Sequence, residues 1–419
     1  CMDGLFFPDR TPHSGAKQMK NCYRPVRCRK IADNRYQFFN HNYFENAALS
    51  VKYTYFTNGV ETYSSTFDVN IAPQSSQEYE IDSLELDKDN HNSVVFEYFT
   101  GDFLIASEQI ILSEGKLSAD INSDGKTTVK PSENKLYITF DNGSMIFDKS
   151  TGFITSYIYK NHEMINSFPL GDFKGFAPAF YRAPLDNDRN ICKYWHTIGL
   201  QNTSNICKGS NFTDNGDNIV VTTNIKSIAN CILPVANTQI KYTIYPNGNI
   251  LVDVNCLGGG AVKLLPRFGV MLEMPKEYEN IKFFGLGEDV NLPDYKEHTI
   301  NKVYQTTVDK LKEDYIKPQE SATRCDVRFA EITNASGFGL RFEAVNKPFI
   351  FSASHYTSNQ WAKAMHRDDL VDLPTTCVNI DSSVLGAGSN ACGPLPDKKD
   401  RVGSLSGKKL SFVVKPIGE

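Results

Sequence analysis

The strongest constraint on this chain is a two-residue alternation of apolar and polar side chains. It recurs in short runs, each ended by turn residues, over almost the whole length. In a β-strand successive side chains point to opposite faces, so such runs describe strands with one buried and one wet face. Leu49, Val51, Tyr53 and Tyr55 alternate with Ser50, Lys52 and Thr54, and Asn58-Gly59, both tolerant of positive φ, then predicts a hairpin turn. Phe67, Val69 and Ile71 stop at Pro73, and Val94, Phe96 and Tyr98 form a further run. Beyond these, Leu136, Ile138 and Phe140 lead through Asp141-Asn142-Gly143 to Met145 and Phe147. Ile240, Tyr242 and Ile244 lead through Pro246-Asn247-Gly248 to Ile250, Val252 and Val254. Short helices are expected only near 191–199 and 358–365, and there is no internal repeat or low-complexity tract.

The predicted fold class is therefore all-β. Strands at intervals of roughly a dozen residues over 22–112 suggest an immunoglobulin-like sandwich. The longer run of strands over 131–419 suggests one large two-sheet β-supersandwich. Residues 113–134 are rich in Ser, Gly, Asp, Asn and Lys, which places a linker at 113–130. Residues 1–21, punctuated by Gly4, Pro8, Pro12 and Gly15, do not resemble the start of a domain, and no initiator methionine precedes them. The expectation is a segment cut from a longer protein.

Composition narrows the function classes. A net charge of −5 with scattered basic residues gives no electrostatic footprint for nucleic acid or an anionic membrane. No apolar stretch approaches the roughly 20 residues that span a bilayer, and the N-terminus lacks a signal-peptide pattern. The 10 cysteines show neither zinc-knuckle nor Cys-x-x-Cys spacing, so reduced thiols in a cytoplasmic protein are expected.

No nucleophile elbow, dinucleotide fingerprint or His-x-x-x-His pair is present. Paired carboxylates are the remaining route to chemistry, and 49 acidic residues do not single out a pair. The densest polar knots are Arg182-Ala-Pro-Leu-Asp-Asn-Asp188 and Pro318-Gln-Glu-Ser-Ala-Thr-Arg324. Each reads either as a hydrogen-bonded loop anchor or as a loop facing a ligand or partner.

These knots also carry a family resemblance. The opening Cys1-Met-Asp-Gly-Leu-Phe-Phe-Pro-Asp-Arg-Thr-Pro-His13 resembles the segment that closes the catalytic barrel of family 2 β-galactosidases. Arg182-Ala-Pro-Leu-Asp-Asn-Asp188 resembles a hallmark of their last domain. Leu265-Pro-Arg-Phe-Gly269, Tyr315-Ile-Lys-Pro-Gln-Glu320 running on to Arg324-Cys-Asp-Val-Arg328, and Phe351-Ser-Ala-Ser-His-Tyr356 follow in the family's order. The resemblance implies a parent that hydrolyses terminal β-D-galactosides with retention, through two glutamates on an upstream (β/α)₈ barrel. The family's Asn-Glu-Ser does not occur here, so no catalytic residue is expected in this chain, and 1–21 would be the tail of that barrel. The implied partners are the barrel, a galactoside substrate and, as an open alternative, further copies of the chain. The implied parent cofactors are magnesium and sodium, with none bound by this segment alone.

The resemblance carries over onto a few positions. Asp3 matches a site whose side-chain oxygen helps hold the sodium ion. Cys392, in Gly386-Ala-Gly-Ser-Asn-Ala-Cys-Gly-Pro394, matches the place where some members put a tryptophan that stacks on the aglycone sugar. A thiol cannot stack, so weaker aglycone affinity is expected. Asp188, Arg189 and Asn190 begin the segment that leads into a mobile active-site loop, here shortened before Trp195. The family's Gly-x-Gly-Pro-x-Glu-Asn-Tyr-x-Asp-Arg is replaced by Gly285-Leu-Gly-Glu-Asp-Val-Asn-Leu-Pro-Asp-Tyr295, so Val290, Leu292 and Tyr295 stand at the Glu, Tyr and Arg positions.

Three other readings compete. The chain could be a subunit that complements a separate barrel, or a carbohydrate-binding module without catalysis. The large sandwich also resembles the galactose mutarotase-like superfamily, which would make His355 and His366 acid–base candidates.

Overall fold

The computed structural model describes residues 4–117, 119, 121, 124–165 and 175–418. Asp3 lies outside them. The chain gathers into two compact units. The first runs to Lys116 and takes in Phe284–Asp289 and Tyr295–Tyr304; the second holds Leu117–Phe283, Val290–Asp294 and Gln305 onward. Strands account for most of the regular structure in both, as the alternation requires.

In the first unit seven strands form two antiparallel sheets. One has Val26–Lys30, Arg35–Asn40 and Ser76–Glu80; the other runs Val60–Ile71, Ala47–Thr57, Asn92–Thr100 and Phe103–Ser113. The inward positions of both sheets, Val26, Tyr36 and Phe38 with Val51, Tyr53, Phe96 and Tyr98, make one aromatic core. Phe38 meets Phe96 edge to face at 5.4 Å. The Asn58-Gly59 hairpin is formed as the sequence predicts, with φ of 49° and 76°, which is the backbone a two-residue turn between twisted strands needs. A side chain at Gly59 would also strike the Phe284 ring at 2.7 Å.

The alternation gave no sign of the helix Ser14–Cys22, a nine-residue segment without a side-chain cap. Its Asn21 is tied on both sides, donating to the Glu297 carbonyl at 2.8 Å and accepting from the Ser107 amide at 3.2 Å. Such a short helix is held by these tertiary bonds rather than by propensity. Beside it, the half-buried Glu108 carboxylate is held by the Cys28 amide, the Tyr98 hydroxyl and Arg24.

In the second unit the strands fall into three sheets. Thr128–Pro131, Lys135–Phe140, Gly143–Asp148, Phe153–Tyr159 and His162–Glu163 form a meander. A larger sheet begins Thr203–Asp214, Ile219–Ala229, Leu233–Ile244, Ile250–Gly259 and continues through Lys409–Ile417, Gly339–Ala344 and Phe329–Thr333. In Ile219–Ala229 every second residue is buried, so one face packs inward and the other meets solvent. The third sheet orders Ala177–Ala179, Arg267–Pro275, Thr375–Val384, Phe349–Ser354 and Arg324–Val327. Its central strands are covered on both faces yet carry Arg267, Glu273, Asn379 and Asp381. Burying such groups is costly unless they are partnered, which makes this sheet the chemically informative part of the unit. The two expected helices occur as Ile191–Thr197 and Ser358–Lys363. No helix among the described residues is long and apolar enough to cross a membrane.

Candidate functional site

Four loops that lie far apart in the sequence meet at one rim of the second unit. Its foundation is Arg182, fully buried, whose Nη1 pairs with Asp188 Oδ2 at 2.6 Å. The guanidinium also donates to the carbonyls of Ala183 at 3.0 Å and Leu385 at 3.2 Å, while Asp188 accepts from the Leu185 amide at 2.8 Å. Every charge is met by a partner of opposite sign or by a backbone dipole, as burial demands. From this base Asn187 donates to the Gly388 carbonyl and Asn190 to the Asn390 carbonyl, each at 2.7 Å. Gln319 accepts from the Asp186 amide at 2.8 Å. Asp294 closes the ring, taking the Ala387 amide on one carboxylate oxygen at 2.6 Å and the Gly388 amide on the other at 2.8 Å. A Cβ at Gly386 would lie 2.5 Å from Asp294 Oδ1, so a larger residue there would displace that carboxylate from its two amides.

The structure brings Asp188, Arg189, Asn190 and Cys392 into one neighbourhood while giving them different roles. Asp188 is buried against Arg182 and anchors its loop. Arg189 and Asn190 are exposed on the rim, and Cys392 is exposed at a turn where its amide and that of Gly393 both donate to the Ser389 carbonyl. The segment after Asn190 is the helix Ile191–Thr197, whose Trp195 is buried and donates to the Leu264 carbonyl at 2.9 Å. Val290 and Leu292 are buried apolar side chains. Tyr295, in the first unit, donates to Ser14 Oγ at 3.0 Å.

A second feature escaped the sequence reading. The mixed polar face of the third sheet opens into a pocket of about 760 Å³, its mouth included. Ser352, Asn379 and Met271 line up across three strands in register, and Ser354 and Cys377 form the next row. Arg267 forms part of the floor, its Nε 3.0 Å from Asp381 Oδ2 and its Nη2 3.8 Å from Glu320 Oε2. The pairing is ionic, and Arg267 holds the Asp381 carboxylate by charge. Burial pushes the Asp381 carboxyl up to about 7, against the pull of Arg267. Burial likewise raises Glu273, beside Cys377 on the same sheet, to about 7. Such polar residues on a covered strand are the signal that could have located the pocket.

Glu320 is the one carboxylate among the described residues lining this pocket, and its Oε1 is engaged by Thr323 Oγ1 at 3.0 Å and the Ala322 amide at 3.3 Å. Neither His355 nor His366 joins it. His355 is buried beside the Thr375 carbonyl and Thr376, and His366 is exposed near Asp369. No group of three or more His, Cys, Asp or Glu side chains among the described residues is placed to hold a metal. The cysteines among them are all free thiols.

Comparison with known proteins adds three findings. The family model described as β-galactosidase small chain matches residues 139–414. A β-galactosidase from Actinobacillus pleuropneumoniae is 30% identical over 94% of this chain, and one from Staphylococcus xylosus is 25% identical over 94%. The chain spans 39% and 40% of the length of these two relatives. A solved galactose 1-epimerase from Lactobacillus acidophilus NCFM aligns with a TM-score of 0.41 at 9% identity, over 70% of this chain and 99% of that one.

Proposed function

The chain belongs to the β-galactosidase small-chain family, and from that premise we propose that it serves the retaining hydrolysis of terminal β-D-galactosides without supplying the catalytic carboxylates. On this reading it works with a barrel-bearing region, of the same protein or of a complex, and shapes the rim of that region's active site in the cytoplasm. Free thiols suit a reducing compartment. Retaining hydrolysis needs two carboxyl groups roughly 5–5.5 Å apart on opposite sides of the scissile bond. The carboxylates that fit that need belong, in this proposal, to the barrel, as do magnesium and sodium, with Asp3 assisting the sodium site. The described residues offer no fitting metal cluster, so no metal step is assigned to them.

The observation that carries the proposal is the locked rim. Asp186, Asn187, Asn190, Asp294 and Gln319 spend their bonds on holding neighbouring loops in shape, with Arg189 and Cys392 left exposed on top. A rigid loop edge with free side chains is what a binding surface for a sugar or a neighbouring domain requires. The test is direct. The chain alone, incubated with a chromogenic β-galactoside, should release only background product; adding the barrel-bearing portion of a relative should restore hydrolysis. Robust turnover by the isolated chain, free of contaminating enzyme, would overturn the reading.

A further inference from the structure

We propose that the pocket in the third sheet of the second unit is a binding site for a neutral pyranose, a function separate from the rim. The first argument is unsatisfied polarity. Oδ1 of Asn379 and Oε1 of Gln201 both belong to pocket-lining residues, are buried, and have no hydrogen-bond partner among the described residues. Asn379 is 8% exposed and sits in the middle of the lining row, between Met271 and Ser352. A ligand or a water bound beside these two acceptors would satisfy them.

The second argument is charge. The one cation on the floor, Arg267, already faces Asp381 and Glu320. An added anion would meet a carboxylate on either side of that guanidinium, and an added cation would have to displace it. Neither class is favoured, and a neutral ligand is.

The third argument is the wall chemistry. Tyr181, Tyr356 and Trp361 line the pocket together with the hydroxyls of Ser352 and Ser354 and the amide of Asn359. A pyranose has apolar C–H faces and a polar hydroxyl edge, and so matches aromatic surface beside small hydroxyls and amides.

The inference is tested on the full chain by isothermal titration, with D-galactose and D-glucose as monosaccharide probes, lactose as the probe for a sugar at the end of a longer chain, and inorganic phosphate as an anion. The expected result is saturable binding of at least one sugar with a Kd of about 1–10 mM and no binding of phosphate. A lactose affinity equal to that of its better-bound monosaccharide places one ring in the pocket; binding of lactose alone assigns the site to an oligosaccharide end. Asn379→Leu removes the orphaned acceptor, so its melting temperature should not fall, while sugar binding should drop at least tenfold. Asn359→Ala, at a half-buried position, should weaken binding severalfold and stands in for the first variant if that one fails to fold. Absence of sugar binding, binding of phosphate instead, or sugar affinity unchanged in both variants would overturn the proposal. None of these outcomes depends on hydrolysis, so they are read independently of the galactosidase proposal.

Discussion

Asn190 donates its side-chain amide to the carbonyl of Asn390, 200 positions away, at 2.7 Å, and so fastens the loop that presents Cys392 to the loop that follows Asp188. The bond is exposed, so it competes with water and its net worth is about 0.5–1 kcal/mol. That is too little to alter global stability but enough to alter local opening. Asn190→Ala should speed amide hydrogen exchange at Cys392 and Gly393 by roughly two- to fivefold, with the melting temperature unchanged within about 1 °C. Unaltered protection in that loop would show that Asp294 and Asn187 hold it without help.

Two ion pairs of equal length should behave very differently. Arg182–Asp188 and Lys276–Asp372 are both 2.6 Å apart, but the first has side chains 0% and 3% exposed and the second 42% and 46%. Asp188→Asn keeps an acceptor for the Leu185 amide and strands a buried guanidinium, at a cost of about 3–5 kcal/mol. Lys276→Gln removes a water-screened pair and should cost no more than about 0.5 kcal/mol. Urea unfolding of the two variants side by side measures the contrast, and similar midpoints would contradict it.

The sequence made some of this legible, and the boundary is physical. Asn58-Gly59 was readable because a two-residue turn leaves few residue types able to take positive φ at both positions. Strands such as Ile219–Ala229 were readable because one face is wet. The Arg267–Pro275 and Thr375–Val384 strands obey neither rule. They are covered on both sides, and their buried polar residues interrupt the alternation instead of marking an outer face. The helix Ser14–Cys22 was missed because the bonds that hold it come from Ser107 and Glu297. The rim was half legible: motif strings flagged Arg182–Asp188 and the Cys392 loop, but nothing local indicates that Asn190 reaches Asn390. Asp188 begins the segment matched to an active-site loop, and the structure adds that its carboxylate pairs with Arg182.

The same covered sheet predicts a pH dependence. Burial lifts the Glu273 carboxyl from its usual 4.5 to about 7 in the folded protein, against a smaller pull from the Thr375 hydroxyl. A raised carboxyl pKa means the folded state holds its proton more tightly than the unfolded state does. The stabilisation is fully present below pH 4.5, declines as pH rises through the window, and is gone above about 7. A difference of this size corresponds to about 3 kcal/mol. Glu273→Gln stays neutral at every pH, so its urea midpoint should change less than the wild type's between about pH 5 and pH 8. It should exceed the wild type's at the upper end. Parallel curves for the two proteins would remove Glu273 from the account.

Cys392 provides the sharpest test of the rim's proposed role, because the family resemblance matches its exposed thiol to a tryptophan that stacks on the aglycone sugar. A thiol offers little surface for a pyranose face, whereas an indole contributes about 1 kcal/mol of stacking. In the barrel-complemented protein, Cys392→Trp should therefore lower KM for lactose about fivefold. A nitrophenyl galactoside carries no aglycone sugar, and its kcat and KM should move less. Cys392→Ser, which adds no stacking surface, should leave both substrates unchanged and so separates a gain of contact from the loss of the thiol. If the tryptophan variant shifts neither KM, or shifts kcat for both substrates alike, the loop does not border the aglycone position and the rim assignment fails.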